Sequence, residues 1–348
     1  MKKLALGDSL ITDDSPPYVI AEIGHNHQGN LEKALELIQA AADSGASAAK
    51  FQKRHNKTLF TPAAYNQVYN SENAFGETYG LHREALEFEE KEYKACIAFA
   101  KQVNIDFFAT AFDFQSADFL RSLGIGIYKI ASGDIRNLPL LRYIAGFGKP
   151  MIISTGGATL EEIDAAVAEV SKIHGELAVL QCTASYPADY DQLNLQVIAR
   201  LRDRYPHVTI GYSGHDNGIA MAVVAYALGA RIIEKHFTLN RALKGTDHAF
   251  SLEPQGMKKM VRDLGRASVA LGDGNKVVYE SEKGPIQKMS KCIVASNDLN
   301  EGHVIQLEDI EFRSPGNGLP PAFAPQVIGQ KTIRAIKQFT PITFEDFR

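Results

Sequence analysis

The chain has 348 residues, with 37 Lys+Arg against 41 Asp+Glu for a formal charge of −4, and 45% of its residues are hydrophobic against 22% charged. These ordinary globular values exclude collagen, coiled coil and disorder, and the slight acidity argues against a nucleic-acid protein, whose partner demands a basic face. Three scattered cysteines, Cys96, Cys182 and Cys292, make neither a zinc spacing nor an even disulfide framework.

The opening MKKLALGDSLITDD holds two lysines but too few apolar residues for a signal-peptide core. No stretch approaches the roughly 20 apolar residues of a membrane helix, so a soluble, cytoplasmic protein is expected. From residue 18 to residue 270, short β-rich runs alternate with helical patterns. The strand candidates are YVIAE (18–22), AAKFQ (48–52), DFFAT (106–110), IYKI (127–130), PMIIS (150–154), AVLQ (178–181), VTIGY (208–212) and RIIEKH (231–236). Most are bounded by Gly, Pro, Asn or Asp. The clearest helix is 30–44: Asn30 can cap it, Leu31, Leu35, Ile38 and Ala42 recur at helical spacing, and Gly45 ends it. Segments 160–174, 219–228 and 255–270 read the same way. Segment 53–88 is too long for an ordinary βα connection, and its aromatic and polar residues read as a lid or a subunit-contact loop.

Eight strands alternating with helices over about 250 residues is the count of a closed (β/α)8 TIM barrel, an α/β fold. An open doubly wound sheet alternates in the same way, but no GxGxxG follows the first strand, which removes its usual dinucleotide-binding form. The division expected is a barrel over 1–270, a charged linker over 271–283 and a small β-rich domain over 284–348. The last contains the runs KCIVAS, EDIEFR, VIGQKTI and PITFED between turns such as Pro315-Gly316-Asn317-Gly318.

In a barrel, reactive side chains gather at the C-terminal ends of the strands. Those positions hold Glu22, Lys50, Gln52, Thr110, Lys129, Ser132, Asp134, Ser154, Ser213, His215, Glu234 and His236. Any one of them reads equally as a solvated strand end. Lys50 and Lys129, however, lie in apolar β runs, where an uncompensated ammonium is expensive. With Ser132 and Ser154 they make a site for a multiply charged anion such as phosphate. His215 and His236 follow neighbouring strands and can share a first-row divalent ion such as Mn2+, with Glu234 or Asp247 supplying oxygen. His25 and His27 rank below them as ligands, and Cys182 reads as a small buried thiol.

The series AEIGHNHQGN, KFQ, YKIASGD, ISTGG, QCTASYP, GYSGHDNG, EKHFTL and KGTDHAFSLEP resembles the sialic acid (N-acetylneuraminate) synthase family in order and spacing. The tail with SPGNGLPP and VIGQKTIRAI resembles that family's antifreeze-like (SAF) domain. The resemblance implies a barrel enzyme that condenses phosphoenolpyruvate with an N-acetylhexosamine-type sugar, uses Mn2+ or Mg2+ and releases phosphate. It implies that Lys50, Lys129, Ser132 and Ser154 hold the phosphate and that Thr110 and Ser213 hold the carboxylate. It places the metal on His215 and His236 with Glu234 beside them, and the sugar against Glu22, Gln52, Asp134, Tyr186 and Asp247. Glu22 and Asp247 are the candidates to move protons. It also implies a domain-swapped homodimer, with Arg313 the candidate for a cross-subunit sugar contact. Two positions depart from many bacterial members: Ala184 stands where they have Asn, and Ser314 stands where they have Arg. The rival readings are a legionaminic or pseudaminic acid synthase, a metal-dependent aldolase using free pyruvate, and a carbohydrate- or ice-binding protein built on the C-terminal domain. The last leaves the barrel's lysines and histidines without a purpose.

Overall fold

A computed structural model describes residues 3–348, and the chain divides into two compact units, Met1–Gly272 and Asp273–Arg348. The first unit opens with a short antiparallel hairpin, β1 (Leu4–Leu6) and β2 (Ser9–Ile11). Eight strands follow: β3 (Tyr18–Gly24), β4 (Ala48–Lys53), β5 (Asp106–Ala111), β6 (Tyr128–Ile130), β7 (Met151–Ser154), β8 (Leu177–Cys182), β9 (Thr209–Gly214) and β10 (Ile232–His236). They close a barrel in the order β10-β3-β4-β5-β6-β7-β8-β9, and every neighbouring pair is parallel. These are the eight runs expected, with ends moved by no more than two residues. They read as near-continuous apolar runs because both faces of a parallel barrel strand are covered, one by the lumen and one by helices.

The helix Leu31–Asp43 shows how the outer layer is specified. Asn30 accepts the Lys33 N–H at 2.9 Å, and Ala34, Leu37, Ile38 and Ala41 form the buried stripe, with Leu31, Leu35 and Ala42 at its edges. The chain start also packs: Leu4, Leu6 and Ile11 join the core, and the hairpin turn at Gly7 lies against Asp106, the first residue of β5. The hairpin therefore covers the N-terminal end of the barrel strands and leaves the C-terminal end open for chemistry.

Within β10, alternation sends Glu234 and His236 to one face and Lys235 to the other. Lys235 Nζ meets Asp216 Oδ1 at 3.1 Å, and the Tyr212 hydroxyl donates to the same oxygen at 2.7 Å, all three residues buried. Burial pushes the Lys235 ammonium below its ordinary pKa, and Asp216 works against that shift. Asp216→Ala leaves this ammonium without its carboxylate, and we expect a loss of about 3–5 kcal/mol in urea unfolding. An unchanged midpoint would show that the pair is not holding the barrel wall.

The second unit begins differently from the expectation. Residues 280–283, read as linker, start the helix Glu280–Met289. Of the four β-like runs only two form a ladder, β11 (Cys292–Ala295) with β12 (Ile310–Arg313), antiparallel. The other two contribute isolated bridges, among them Val294 with Pro341 and Val304 with Lys331. Pro341 has no N–H for a ladder, and Gly329, at φ +85°, turns the chain inside VIGQKTI. Ile293, Leu299, Ile305, Val327, Ile336 and Ile342 make this unit's own core. No helix among the described residues is long and apolar enough to cross a membrane.

Candidate active site

The C-terminal ends of the barrel strands enclose a cavity of about 580 Å³. Its lining includes Glu22, Lys50, Gln52, Thr110, Lys129, Ser132, Ser154, Tyr186, Ser213, His215, Glu234, His236 and Asp247, which brings together thirteen of the residues singled out from the sequence. Asp134 is not among them. Asp134 ends the short turn Ser132–Asp134; that turn presents Ser132 to the cavity, while Asp134 stays outside the lining and accepts from the Asn137 amide at 3.3 Å. Arg313 lies on β12 of the second unit, where it pairs with Glu311 at 2.6 Å and stacks over Phe339 at 4.1 Å.

One half of the cavity is built on lysines and hydroxyls. Lys50 Nζ stands 2.6 Å from Glu22 Oε2 and 3.7 Å from Glu234 Oε1, and donates to Thr110 Oγ1 at 3.1 Å. Lys129 Nζ reaches Glu234 Oε1 at 4.0 Å and donates to Ser154 Oγ at 2.6 Å and to the Ile130 carbonyl at 2.9 Å. Ser213 donates to the same Glu234 oxygen at 3.2 Å. Gly156 is needed here, since a Cβ on it would stand 2.7 Å from Ala184 Cβ and 2.9 Å from Ser132 Oγ. The backbone N–H of Gly156 donates to Ser132 Oγ at 2.9 Å, and that hydroxyl turns its own proton to Cys182 Sγ at 3.6 Å, a weak acceptor that a ligand oxygen can replace.

The two carboxylates are driven apart. Burial raises Glu22 to about 7; the Lys50 ammonium opposes this and the Glu234 charge adds to it. Burial pushes Glu234 up as well, but Lys129 and Lys50 together outweigh it and hold this group below its ordinary value. One buried carboxyl group is therefore poised near neutrality while its neighbour stays ionised, which is how an acid role and an electrostatic role are separated.

The other half is imidazole. The rings of His215 and His236 lie 5.3 Å apart between centroids, with Tyr186 4.3 Å from His215 and Phe250 4.8 Å from His236. Burial lowers both histidines to about 4, so both are neutral at pH 7. His215 Nδ1 donates to the Thr183 carbonyl at 2.7 Å, which fixes the tautomer and leaves Nε2 with a free lone pair. His236 Nδ1 is buried without a hydrogen-bond partner and stands 3.7 Å from Asp247 Oδ2. Desolvation would raise Asp247, but His236 and the Thr246 hydroxyl outweigh it and keep the carboxyl below its ordinary value. Among the described residues, no three His, Cys, Asp or Glu groups stand close enough to hold an ion unaided. Two neutral imidazoles, one with an orphaned buried nitrogen, beside an ionised carboxylate are nevertheless a donor set that fits a divalent cation completed by substrate or water oxygens.

His25 and His27 do not line the cavity. His27 is buried between Phe51 and Phe88, with ring centroids 5.1 Å and 4.0 Å away. Cys182 lines the cavity, and its thiol is kept protonated because burial raises its pKa. Ser185 bonds the Pro187 carbonyl at 3.0 Å and lines a neighbouring cleft, while Ala184 lines both that cleft and the cavity. Three lining arginines, Arg54, Arg83 and Arg136, were not singled out from the sequence. The first two come from segment 53–88, which folds into the short helices Asn56–Leu59, Pro62–Tyr65 and Tyr79–Glu84.

The NeuB family profile matches residues 37–276, and the SAF domain profile matches residues 290–348. The chain is 35% identical to the N-acetylneuraminate-9-phosphate synthase of Homo sapiens, over 93% of this chain and 90% of that one. It is 37% identical to the N,N'-diacetyllegionaminic acid synthase of Campylobacter jejuni, over 92% of this chain and 97% of that one. Among solved structures, the N-acetylneuraminic acid (sialic acid) synthetase of Leptospira borgpetersenii in complex with citrate is similar at a TM-score of 0.72 and 36% identity, covering 82% of this chain and 95% of that one. The closed eight-stranded barrel, the motifs at its strand ends and these matches together assign the chain to the NeuB family of sialic acid synthase-type enzymes, with a C-terminal SAF domain.

Proposed function

We propose that the chain condenses phosphoenolpyruvate with N-acetylmannosamine or its 6-phosphate, giving N-acetylneuraminate or its 9-phosphate and inorganic phosphate. The observation that carries this reading is the division of one cavity into a lysine–hydroxyl half and a neutral bis-imidazole half. Lys50, Lys129, Ser132 and Ser154 hold the phosphate of phosphoenolpyruvate, and Thr110 and Ser213 its carboxylate. His215 and His236 would hold Mn2+ or Mg2+ with Asp247 beside them, and the ion when bound would polarise the aldehyde oxygen. Gln52 and Tyr186 orient the sugar. C3 of phosphoenolpyruvate attacks the aldehyde carbon, and C2, left electron-poor, takes up water. Loss of a proton and cleavage of the C2–O bond then release phosphate and the 2-keto acid. Lysines fixed around the departing anion stabilise it without reorganisation, the strongest kind of catalytic electrostatics. A phosphoenolpyruvate-using enzyme works where that metabolite is made, in the cytoplasm, and the homodimer implied by the resemblance belongs to the same proposal.

Glu22 is the proton donor to the new alkoxide, because it alone of the cavity's carboxyls is raised toward neutrality. Its proton is present below about 7 and lost above it, so the wild-type rate should fall as pH rises past that value. Glu22→Gln should be about 10²-fold slower and should lack this alkaline limb. A limb that persists in the variant would assign the proton to another group. The overall test is phosphate release with phosphoenolpyruvate against a panel of N-acetylhexosamines, free and 6-phosphorylated. Turnover of free pyruvate instead would overturn the reading. The legionaminic relative, at 37% identity, supports a second reading with the same chemistry on a different hexose, and the panel separates the two.

A further inference from the structure

Five cationic side chains line the cavity, and they are not equivalent. Lys50 and Lys129 share Glu22 and Glu234. Arg136 is spoken for by Glu162 at 2.5 Å and the Gly157 carbonyl at 2.6 Å. Arg54 and Arg83 form no side-chain ion pair with a carboxylate among the described residues, although Arg54 is only 9% exposed. Glu87, the nearest carboxylate, is engaged by Lys53 and His25, and by the backbone N–H rather than the guanidinium of Arg54.

The two guanidinium groups are also aimed together. Arg54 Nη1 lies 3.4 Å and Arg83 Nη1 3.5 Å from the same nitrogen, Nδ1 of His25. Burial, then the two arginines, hold that imidazole well below its ordinary pKa, so it is neutral and supplies no counter-charge. Each guanidinium is held in place by an aromatic residue. Arg54 Cζ lies over the Phe112 ring, 3.7 Å from its centroid, and Arg83 donates twice to the Tyr79 hydroxyl, at 3.1 Å and 3.0 Å. Burial and the neighbouring Arg83 charge lower Arg54 to about 10, against the opposing charges of Glu87 and Asp247, neither of which pairs with its guanidinium. A protein does not tolerate such a pair cheaply unless a ligand completes it.

Position gives the ligand. Arg54 and Arg83 line the same cavity as the histidine pair, and Asp247, 3.7 Å from His236, also feels the Arg83 charge. On the function proposed above, an open-chain acceptor has its aldehyde at the histidines and its far carbon elsewhere in this cavity, where the arginine pair is the cationic group without a carboxylate partner among the described residues. A neutral hydroxymethyl group there would leave both guanidinium groups unmatched, whereas a phosphate ester accepts from both. We propose that Arg54 and Arg83 form a second anion subsite for a phosphate ester at the far end of the acceptor, which makes the acceptor a hexosamine phosphate rather than the free sugar. This inference rests on the proposed function for the direction of the sugar and on the arginine pair for the ester.

The test is calorimetric binding of N-acetylmannosamine 6-phosphate and of free N-acetylmannosamine to the full chain, with turnover read separately. The ester should bind at least about 30-fold more tightly than the free sugar, and Arg83→Gln should erase most of that difference while Arg83→Lys restores part of it. Arg83 is the residue to change because it is less buried than Arg54, and the wild-type comparison needs no variant at all. Equal binding of the two sugars, or an ester preference untouched by Arg83→Gln, would overturn the subsite. Inorganic phosphate that competes equally with the ester and with phosphoenolpyruvate would do the same, since it would point to the lysine site alone. Ester-selective binding without phosphate release from phosphoenolpyruvate would uphold the subsite and overturn the reaction.

Discussion

Lys129→Met should lower kcat/KM for phosphoenolpyruvate by about 10³-fold while moving the KM of the acceptor far less. Lys129 is 2% exposed, and its ammonium is held between the Ser154 hydroxyl, the Ile130 carbonyl and Glu234. Burial lowers its pKa, and the Glu234 charge opposes that shift. A fixed ammonium of this kind is worth most where charge develops on a leaving phosphate. Methionine keeps the unbranched stem that packs in the barrel lumen, so the wall is preserved. Glu234 is not abandoned either, since Lys50 remains 3.7 Å away. The loss should therefore fall on the phosphoenolpyruvate half. Phosphate release measured with each substrate varied in turn decides it: equal losses for both substrates, or none, would remove this lysine from the phosphate site.

How much of this was legible in the sequence follows from what each feature depends on. The barrel strands were readable because their requirement is local: a run such as PMII, ahead of Ser154, is apolar throughout when both faces are covered. Lys50 and Lys129 stood out for the same reason, as charges within such runs. Glu234 was singled out as well, but not as their shared partner. Glu234 is on β10 and Lys129 on β6, which are not neighbours in the barrel order, so the pair forms across the lumen and no sequence spacing encodes it. Arg54 and Arg83 were missed because segment 53–88 has no period to read. They meet only after its three short helices pack, with Gly80 making room for Tyr65 beside Tyr79. Asp134 stays outside the lining because the alternation that aims strand residues does not continue into the turn that follows β6. In the second unit, short β-like runs suggested ladders that Pro341 and Gly329 interrupt.

His236→Phe should reduce metal-dependent turnover by at least about 10³-fold and leave thermal stability almost unchanged. The two halves of this expectation have separate physical origins. The ring of His236 packs on Phe250 at 4.8 Å and near Tyr186 at 6.3 Å, and a phenyl ring keeps that packing. Its buried Nδ1 has no hydrogen-bond partner in the fold, so removing it relieves an unsatisfied polar atom rather than creating one. A residue kept for stability would not carry this defect; a residue kept to give a lone pair to a cation would. The checks are Mn2+ binding by calorimetry, phosphate release after chelation and metal add-back, and the melting temperature. Full activity of the variant in chelated buffer would separate this imidazole from the metal. A large fall in melting temperature would instead show that His236 Nδ1 is a structural atom, and the bis-imidazole half of the cavity would lose its chemical role.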